Sequence, residues 1–159
     1  LLDSEGKVIG INTAIIGAGG SVGIGFAVPS NTAKRIIPDL LKYGYVRRPW
    51  LGVEPIPTVY LRRLGLDIPE GMLISRVVRG ATAAKAGLRG ATQQVVVGRY
   101  QVPWGGDILT HVNQQPVRTM EELAAQIETR KAGEVITLDY IRDNRKESVK
   151  ATLVLRPRS

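Results

Sequence analysis

The sequence predicts a mainly β fold with some helix, laid out as two segments. The first is a group of strands closed by a helix, and the second is a small, partly open β-barrel or sandwich with two helices. Three observations predict this. Short runs rich in Val, Ile and Leu recur between Gly, Asn and Asp turn signals, as half-buried strands require. Helical spacing of apolar residues is sustained at few places, most clearly around 30–43 and 119–130. A charged, proline-terminated stretch, Val46-Arg47-Arg48-Pro49, separates the two groups. The domain boundaries are therefore set at 1–44, a linker at 45–49, and 50–159.

In the first segment, residues 1–2, 7–16 and 25–29 read as strands. Asp3-Ser4-Glu5-Gly6 forms a hairpin turn in which Gly supplies positive φ. The stretch 16–25, with Gly17, Gly19, Gly20 and Gly23, reads as a flexible surface loop. A helix follows, with Ser30 or Asn31 as its N-cap and Ala33, Ile36, Ile37, Leu40 and Leu41 as one apolar stripe. Pro38 is expected to kink or divide it, and Gly44 to end it.

In the second segment, residues 50–56 read as a strand broken by Pro55, whose proline portion must lie at a sheet edge. Residues 58–64 read as a short helix, 71–78 as a strand, and 82–86 as a short helix stopped by Gly87. Val95-Val96-Val97 and Tyr100-Gln101-Val102 flank Gly98-Arg99, a type II′ hairpin signal, and a plain surface hairpin is the default reading. Residues 107–112 form a strand with Gln114-Gln115 in the turn after it. Thr119-Met120-Glu121-Glu122 is a capping box opening a helix to about Arg130, with Leu123, Ala124 and Ile127 on one face. Two last strands, 134–142 and 147–155, surround the Asp143-Asn144 turn.

Composition narrows the function. There is no cysteine, which excludes disulfides and thiolate metal sites. No apolar run approaches the roughly 20 residues of a membrane span. The net charge is +8, but Lys and Arg are scattered in pairs at most and no aromatic ladder accompanies them, so nucleic acid is not the expected partner. The sequence opens at Leu1 without Met or a signal-like segment, the pattern of an excerpt from a longer chain.

Catalytic chemistry has little to work with. A Ser-His-Asp triad needs a histidine base, and the one histidine, His111, alternates with Thr110 and Val112 as an ordinary strand-face side chain. Ser4 follows Asp3, but its turn accounts for it, and neither a base nor an oxyanion hole is evident. One His without Cys, and no carboxylates at ligand spacing, give no metal site, and no cofactor is expected. The sequence does offer a groove. A strand near Gly52 with a free edge could accept an extended peptide, a helix with small and apolar residues could form the opposite wall, and amides of Leu51-Gly52-Val53 could point at a terminal carboxylate.

Several stretches carry a family likeness. Residues 1–14, LLDSEGKVIGINTA, closely resemble the segment after the nucleophile motif of HtrA/DegP-type trypsin-like serine proteases. Gly23-Ile24-Gly25-Phe26-Ala27-Val28-Pro29-Ser30-Asn31 resembles a strand of the same family. Arg48-Pro49-Trp50-Leu51-Gly52-Val53 resembles the approach to its PDZ domain, and Ala83-Ala84-Lys85-Ala86-Gly87-Leu88 and Gly106-Asp107-Ile108-Leu109 resemble two PDZ signatures. The likeness covers essentially the whole chain.

The resemblance implies that 1–44 is the C-terminal remnant of a chymotrypsin-like β-barrel and 50–159 a PDZ domain. The nucleophile motif would end just before Leu1, so this chain alone is expected to be inactive although its parent is a serine endopeptidase. Asn12, Thr13 and Ala14 match the edge strand that pairs with substrate, Ile15 and Ile24 the walls of an apolar S1 pocket, and residues 16–22 a regulatory loop. Trp50, Leu51, Gly52 and Val53 match the loop that binds a peptide carboxylate. The peptide would add as a strand beside Val53, Glu54 and Ile56, with Leu123, Ala124 and Ile127 as groove lining or as ordinary helix–core packing. Pro55 and Pro57 lack the N–H groups of a long peptide ladder.

The implied function is the regulatory, substrate-recognising half of a protease of protein quality control, binding C-terminal or unfolded hydrophobic peptides. The alternative is a non-catalytic PDZ scaffold. The parent is expected to be a homo-oligomer, trimeric or higher, in the periplasm, the cell envelope or the secreted fraction.

Overall fold

The computed structural model describes residues 1–16 and 24–157. The loop expected at 16–22 therefore lies, beyond Ile16, outside the described residues. The chain forms two compact units, Leu1–Arg47 and Arg48–Ser159.

The first unit is a hairpin and a helix. Strand β1 (Gly10–Ile16) pairs antiparallel with β2 (Ile24–Pro29), with a register shift at Thr13, whose hydroxyl donates to Phe26 O at 3.1 Å. The turn before them is closed by Asp3, whose Oδ1 accepts from the amides of Glu5 and Lys7, and Gly6 takes φ 77°. Residues 1–2 make a single bridge, Leu2 to Val8, rather than a strand.

Helix α1 (Ser30–Tyr43) corrects two expectations. Its N-cap is Pro29, not Ser30 or Asn31. Proline has no capping oxygen, and the Ser30 amide is satisfied instead by Ile9 O at 3.0 Å. Pro38 does not divide the helix. The turns beyond it are tied down by Arg47, whose amide and guanidinium both bond Asp39 and whose guanidinium lies 4.1 Å from the Tyr43 ring centre. Gly44 ends the helix at φ 73°, donating to Leu40 O. Two strands and one helix cannot enclose a core. Ala33 is the one buried apolar side chain described in this unit, and Leu41 is 84% exposed.

The second unit holds strands β3 (Pro49–Trp50), β4 (Val53–Pro57), β5 (Met72–Val77), β6 (Gln93–Val97), β7 (Tyr100–Trp104), β8 (Ile108–Val112), β9 (Gln115–Pro116), β10 (Val135–Arg142), β11 (Arg145–Thr152) and β12 (Val154–Leu155). Among its described residues there are three helices, α2 (Thr58–Arg63), α3 (Thr82–Lys85) and α4 (Met120–Glu128), against the two of the expected fold class. The main sheet runs β11-β10-β8-β5-β4, with β9 also on β8, and does not close. β3 pairs with β12, and β6 with β7.

Two apolar clusters hold this unit. The larger joins Leu51, Ile74, Leu109, Val112, Leu138 and Leu153 to Leu123 and Ile127 of α4. The smaller joins Leu61, Ile68, Leu73, Val102 and Ile108. Met72, Leu73 and Ile74 are buried in succession because β5 has a cluster on each face. The 93–104 hairpin is more than a surface feature. Val102 is buried, and Val95, Val97 and Trp104 pack on the smaller cluster. Its turn places Gly98 at φ 61°. After β8 the turn residues are Asn113 and Gln114 (φ 48° and 66°) rather than Gln114-Gln115, since Gln115 already pairs with Val112. Asp143 and Asn144 (φ 48° and 62°) form the other tight turn, as their residue types favour.

A buried ion pair braces the sheet. Asp107 is 1% exposed and accepts from Arg142 Nε and Nη2 and from the Arg89 amide, each at 2.7 Å. Arg142 Nη2 also donates to Gly87 O at 2.8 Å.

Candidate functional site

The expected strand 50–56 is interrupted at Leu51-Gly52, not at Pro55. The cause is local. Gly52 takes φ 74°, and a Cβ there would lie 2.0 Å from the Ala81 Cβ and 2.1 Å from Trp50 Nε1. Only glycine fits this conformation and this approach. Pro55 is accommodated further along, where the register shifts between Glu54 and Pro55.

The interruption has an electrostatic result. Three successive carbonyls are turned inward: Trp50 O accepts from Thr82 Oγ1 (2.7 Å), Leu51 O from Ala83 N (2.8 Å) and Gly52 O from Val78 N (2.8 Å). Thr82 also accepts from Val154 N at 2.9 Å, which clips α3 to both β3 and β12. The amides of Leu51 and Gly52 have no hydrogen-bond partner among the described residues. Adjacent free N–H groups held by a rigid turn make an anion-binding concavity.

These amides open on a groove of about 390 Å³. It is walled by 48–55 on one side and by Met120, Leu123, Ala124, Ile127 and Glu128 of α4 on the other. Of the residues expected there, Trp50, Leu51, Gly52, Val53, Glu54, Leu123, Ala124 and Ile127 all line it. Leu123 and Ile127 are each 6% exposed and belong to the larger cluster, so one stripe serves as both core and groove floor. Ile56 does not line the groove. It lies on the opposite face of β4 from Val53 and packs against the smaller cluster.

Sequence reasoning missed several lining residues. Met120 and Val78 add apolar wall, and Met120 continues the helical stripe three residues before Leu123, a signal that could have found it. Arg48 and Arg156 place two cations at the same groove, with the Arg156 guanidinium 5.7 Å from the Trp50 ring centre. Arg156 is brought there only by pairing of β12 with β3. α4 is anchored as its capping residues predict, for Thr119 Oγ1 accepts from the Glu122 amide. The Glu122 carboxylate reaches one residue further back than a standard capping box, to the Arg118 amide.

The remaining candidates lie elsewhere. Asn12 and Thr13 are exposed on β1, and the backbones of Ala14, Ile15 and Ile24 belong to the β1–β2 ladder. His111 stands on β8 with Nδ1 3.1 Å from Thr110 Oγ1. Ser148 and Asp139 are nearby in the sheet, but Ser148 donates to Asp139 and not to the imidazole. A nucleophile–base pair is not formed by these groups. No helix among the described residues is long and apolar enough to cross a membrane.

Comparison with known proteins gives a consistent likeness. The PDZ domain family matches residues 22–153. A probable periplasmic serine endoprotease DegP-like of Brucella suis biovar 1 is 36% identical over 158 residues, covering 98% of this chain and 28% of the relative. The periplasmic pH-dependent serine endoprotease DegQ of Escherichia coli is 35% identical over 156 residues, covering 96% and 31%. The solved structure of the HtrA-type protease AlgW with decapeptide has a TM-score of 0.70 at 30% identity, covering 99% of this chain and 45% of that one. The chain thus spans less than a third of the length of these two curated relatives.

Proposed function

The chain belongs to the PDZ domain family, and from that premise we propose that its second unit captures the C-terminal end of an extended, hydrophobic peptide. The observation that carries this is the pair of unpartnered amides, Leu51 and Gly52, at the head of an apolar groove. A terminal carboxylate is the ligand group they fit. It accepts two N–H bonds at once, and Arg48 and Arg156 add favourable potential. The last side chain enters between Val53 and the Met120–Ile127 face, and the peptide backbone runs beside β4 as an added strand.

In this reading, 50–159 is a PDZ domain acting as the substrate-recognising part of a periplasmic HtrA-type serine endopeptidase engaged in protein quality control. Residues 1–44 are the end of the protease domain, with Asn12, Thr13 and Ala14 on the substrate-pairing strand and Ile15 and Ile24 at the S1 pocket. The names of the relatives and the match of 98% of the chain to a DegP-like protein support this assignment. Hydrolysis is assigned to the parent protein and not to the residues present here, which supply one histidine without a paired nucleophile. The parent is taken to be a homo-oligomer.

The test is calorimetric titration with a hydrophobic peptide as free acid and as C-terminal amide. Hydrogen bonds to a charged group contribute about 1.5–3 kcal/mol each, so amidation should weaken binding by about tenfold or more. Equal affinity of the two forms refutes the assignment of Leu51 and Gly52.

A further inference from the structure

The free edge of β4 has an unusual hydrogen-bonding character. Val78 N donates to Gly52 O and Thr58 N to Gly71 O, while Ser75 Oγ donates to Glu54 O at 2.7 Å. Residue 52 therefore directs its carbonyl, and residues 54, 56 and 58 their backbone groups, at β5 and its continuation. The register shift adds Ser75 on β5, between the pairs Glu54–Arg76 and Pro55–Ile74, so the alternation of β4 itself is unbroken. The backbone groups left on the open edge belong to Val53, Pro55 and Pro57. β4 ends the sheet order, so no other strand among the described residues pairs with that edge.

Two of those three residues are proline. The edge consequently offers a carbonyl acceptor at each of its three outward positions but an N–H donor only at Val53. We infer that this edge makes the groove a short-tail reader: it recognises the carboxylate and last residues of a ligand and gains little from residues further upstream. The inference rests on the peptide-capture reading above.

The register follows from strand geometry. With the carboxylate on the Leu51 and Gly52 amides, an added antiparallel strand sets its last residue against Val53, its third-from-last against Pro55 and its fifth-from-last against Pro57. Ligand N–H groups at those positions find acceptors. The ligand carbonyls at the third and fifth positions face proline nitrogens and find none. Each such carbonyl leaves water without gaining a bond, which offsets the bond made beside it. The same missing donors blunt the edge against pairing with a second copy of the chain, as prolines do on natural edge strands. Specificity is left to the apolar pocket formed with Met120, Leu123 and Ile127.

The experiment uses free-acid peptides of two, four and six residues sharing the same C-terminal pair. They are titrated into the native chain and into Pro55→Ala and Pro57→Ala, with thermal melts establishing that each variant is folded. The native chain should bind all three within about threefold. Pro55→Ala should strengthen the four-residue ligand over the two-residue one by about 3- to 10-fold, the range of one added hydrogen bond. Pro57→Ala should do the same for the step from four to six. Because the two variants report on different steps, misfolding of one leaves the other decisive. Native affinity that climbs tenfold with length overturns the inference, as does a flat series in both folded variants. Failure of every free acid to bind overturns the capture reading itself.

Discussion

Replacing Asp107 by alanine tests how the second unit holds its shape. The carboxylate is 1% exposed and accepts three bonds at 2.7 Å, two from Arg142 and one from the Arg89 amide. The Arg142 guanidinium side chain is 16% exposed, and the hydrogen bond to Asp107 holds its pKa above the ordinary range. Removing one member of a buried pair leaves the other charge uncompensated, at a cost of about 3–5 kcal/mol. Here Arg142 keeps Gly87 O at 2.8 Å and Glu147 at 3.7 Å, which favours the lower end. Against a total stability of about 5–15 kcal/mol for a domain, that is a large fraction. With a urea slope of about 1–3 kcal/mol/M, the midpoint should fall by about 1–3 M. Unfolding followed by the fluorescence of Trp50 and Trp104 measures it. A double-mutant cycle with Arg142→Ala should give a coupling of at least about 1 kcal/mol, above the few tenths expected of independent sites. A cost below about 1 kcal/mol, or strict additivity, would refute the view that this pair braces the sheet.

Two further perturbations follow from the same geometry. Gly52→Ala forces a side chain into a φ of 74° and against Ala81 and Trp50, so it should cost at least about 1–3 kcal/mol in urea unfolding and weaken free-acid peptide binding. Unchanged stability and affinity would disprove the tight approach. Tyr140 has its phenol pKa raised, first by burial and then by donating to Glu147 at 2.7 Å. Above the ordinary tyrosine value of about 10, the unfolded chain therefore loses this proton before the folded one, and stability falls as pH climbs. Tyr140→Phe should cost about 1 kcal/mol at neutral pH through the lost hydrogen bond. The deficit should shrink at strongly alkaline pH, and a deficit independent of pH would argue against the raised value.

Part of the groove was legible in local sequence. The capping residue Thr119 and the spacing of Leu123, Ala124 and Ile127 announce a helix start and an apolar face through short-range rules, whereas the strand break expected at Pro55 falls at Gly52. The hairpin at Gly98-Arg99 and the turn at Asp143-Asn144 were legible for the same reason, since positive φ selects residue type. Other features were not local. Pro29 caps α1 because a distant carbonyl, Ile9 O, takes the Ser30 amide, and Pro38 stays within the helix while Arg47 ties the chain back to Asp39. Ile56 faces away from the groove because strand alternation sets it on the side of the smaller cluster.

The sequence by itself determined that the chain carries an apolar helix face, a strand near Gly52 and no cysteine, because each depends on residue type within a few positions, but it misplaced the break of that strand at Pro55 instead of Gly52. Tertiary structure decided what those pieces become. Thr82, Ala83 and Val78 turn three carbonyls of the loop inward, and β12 delivers Arg156 to the groove. Sheet order leaves β4 at the edge, with prolines at two of its three outward positions. Hydrogen-bond direction and sheet order are relations between residues remote in sequence, so no local pattern encodes them.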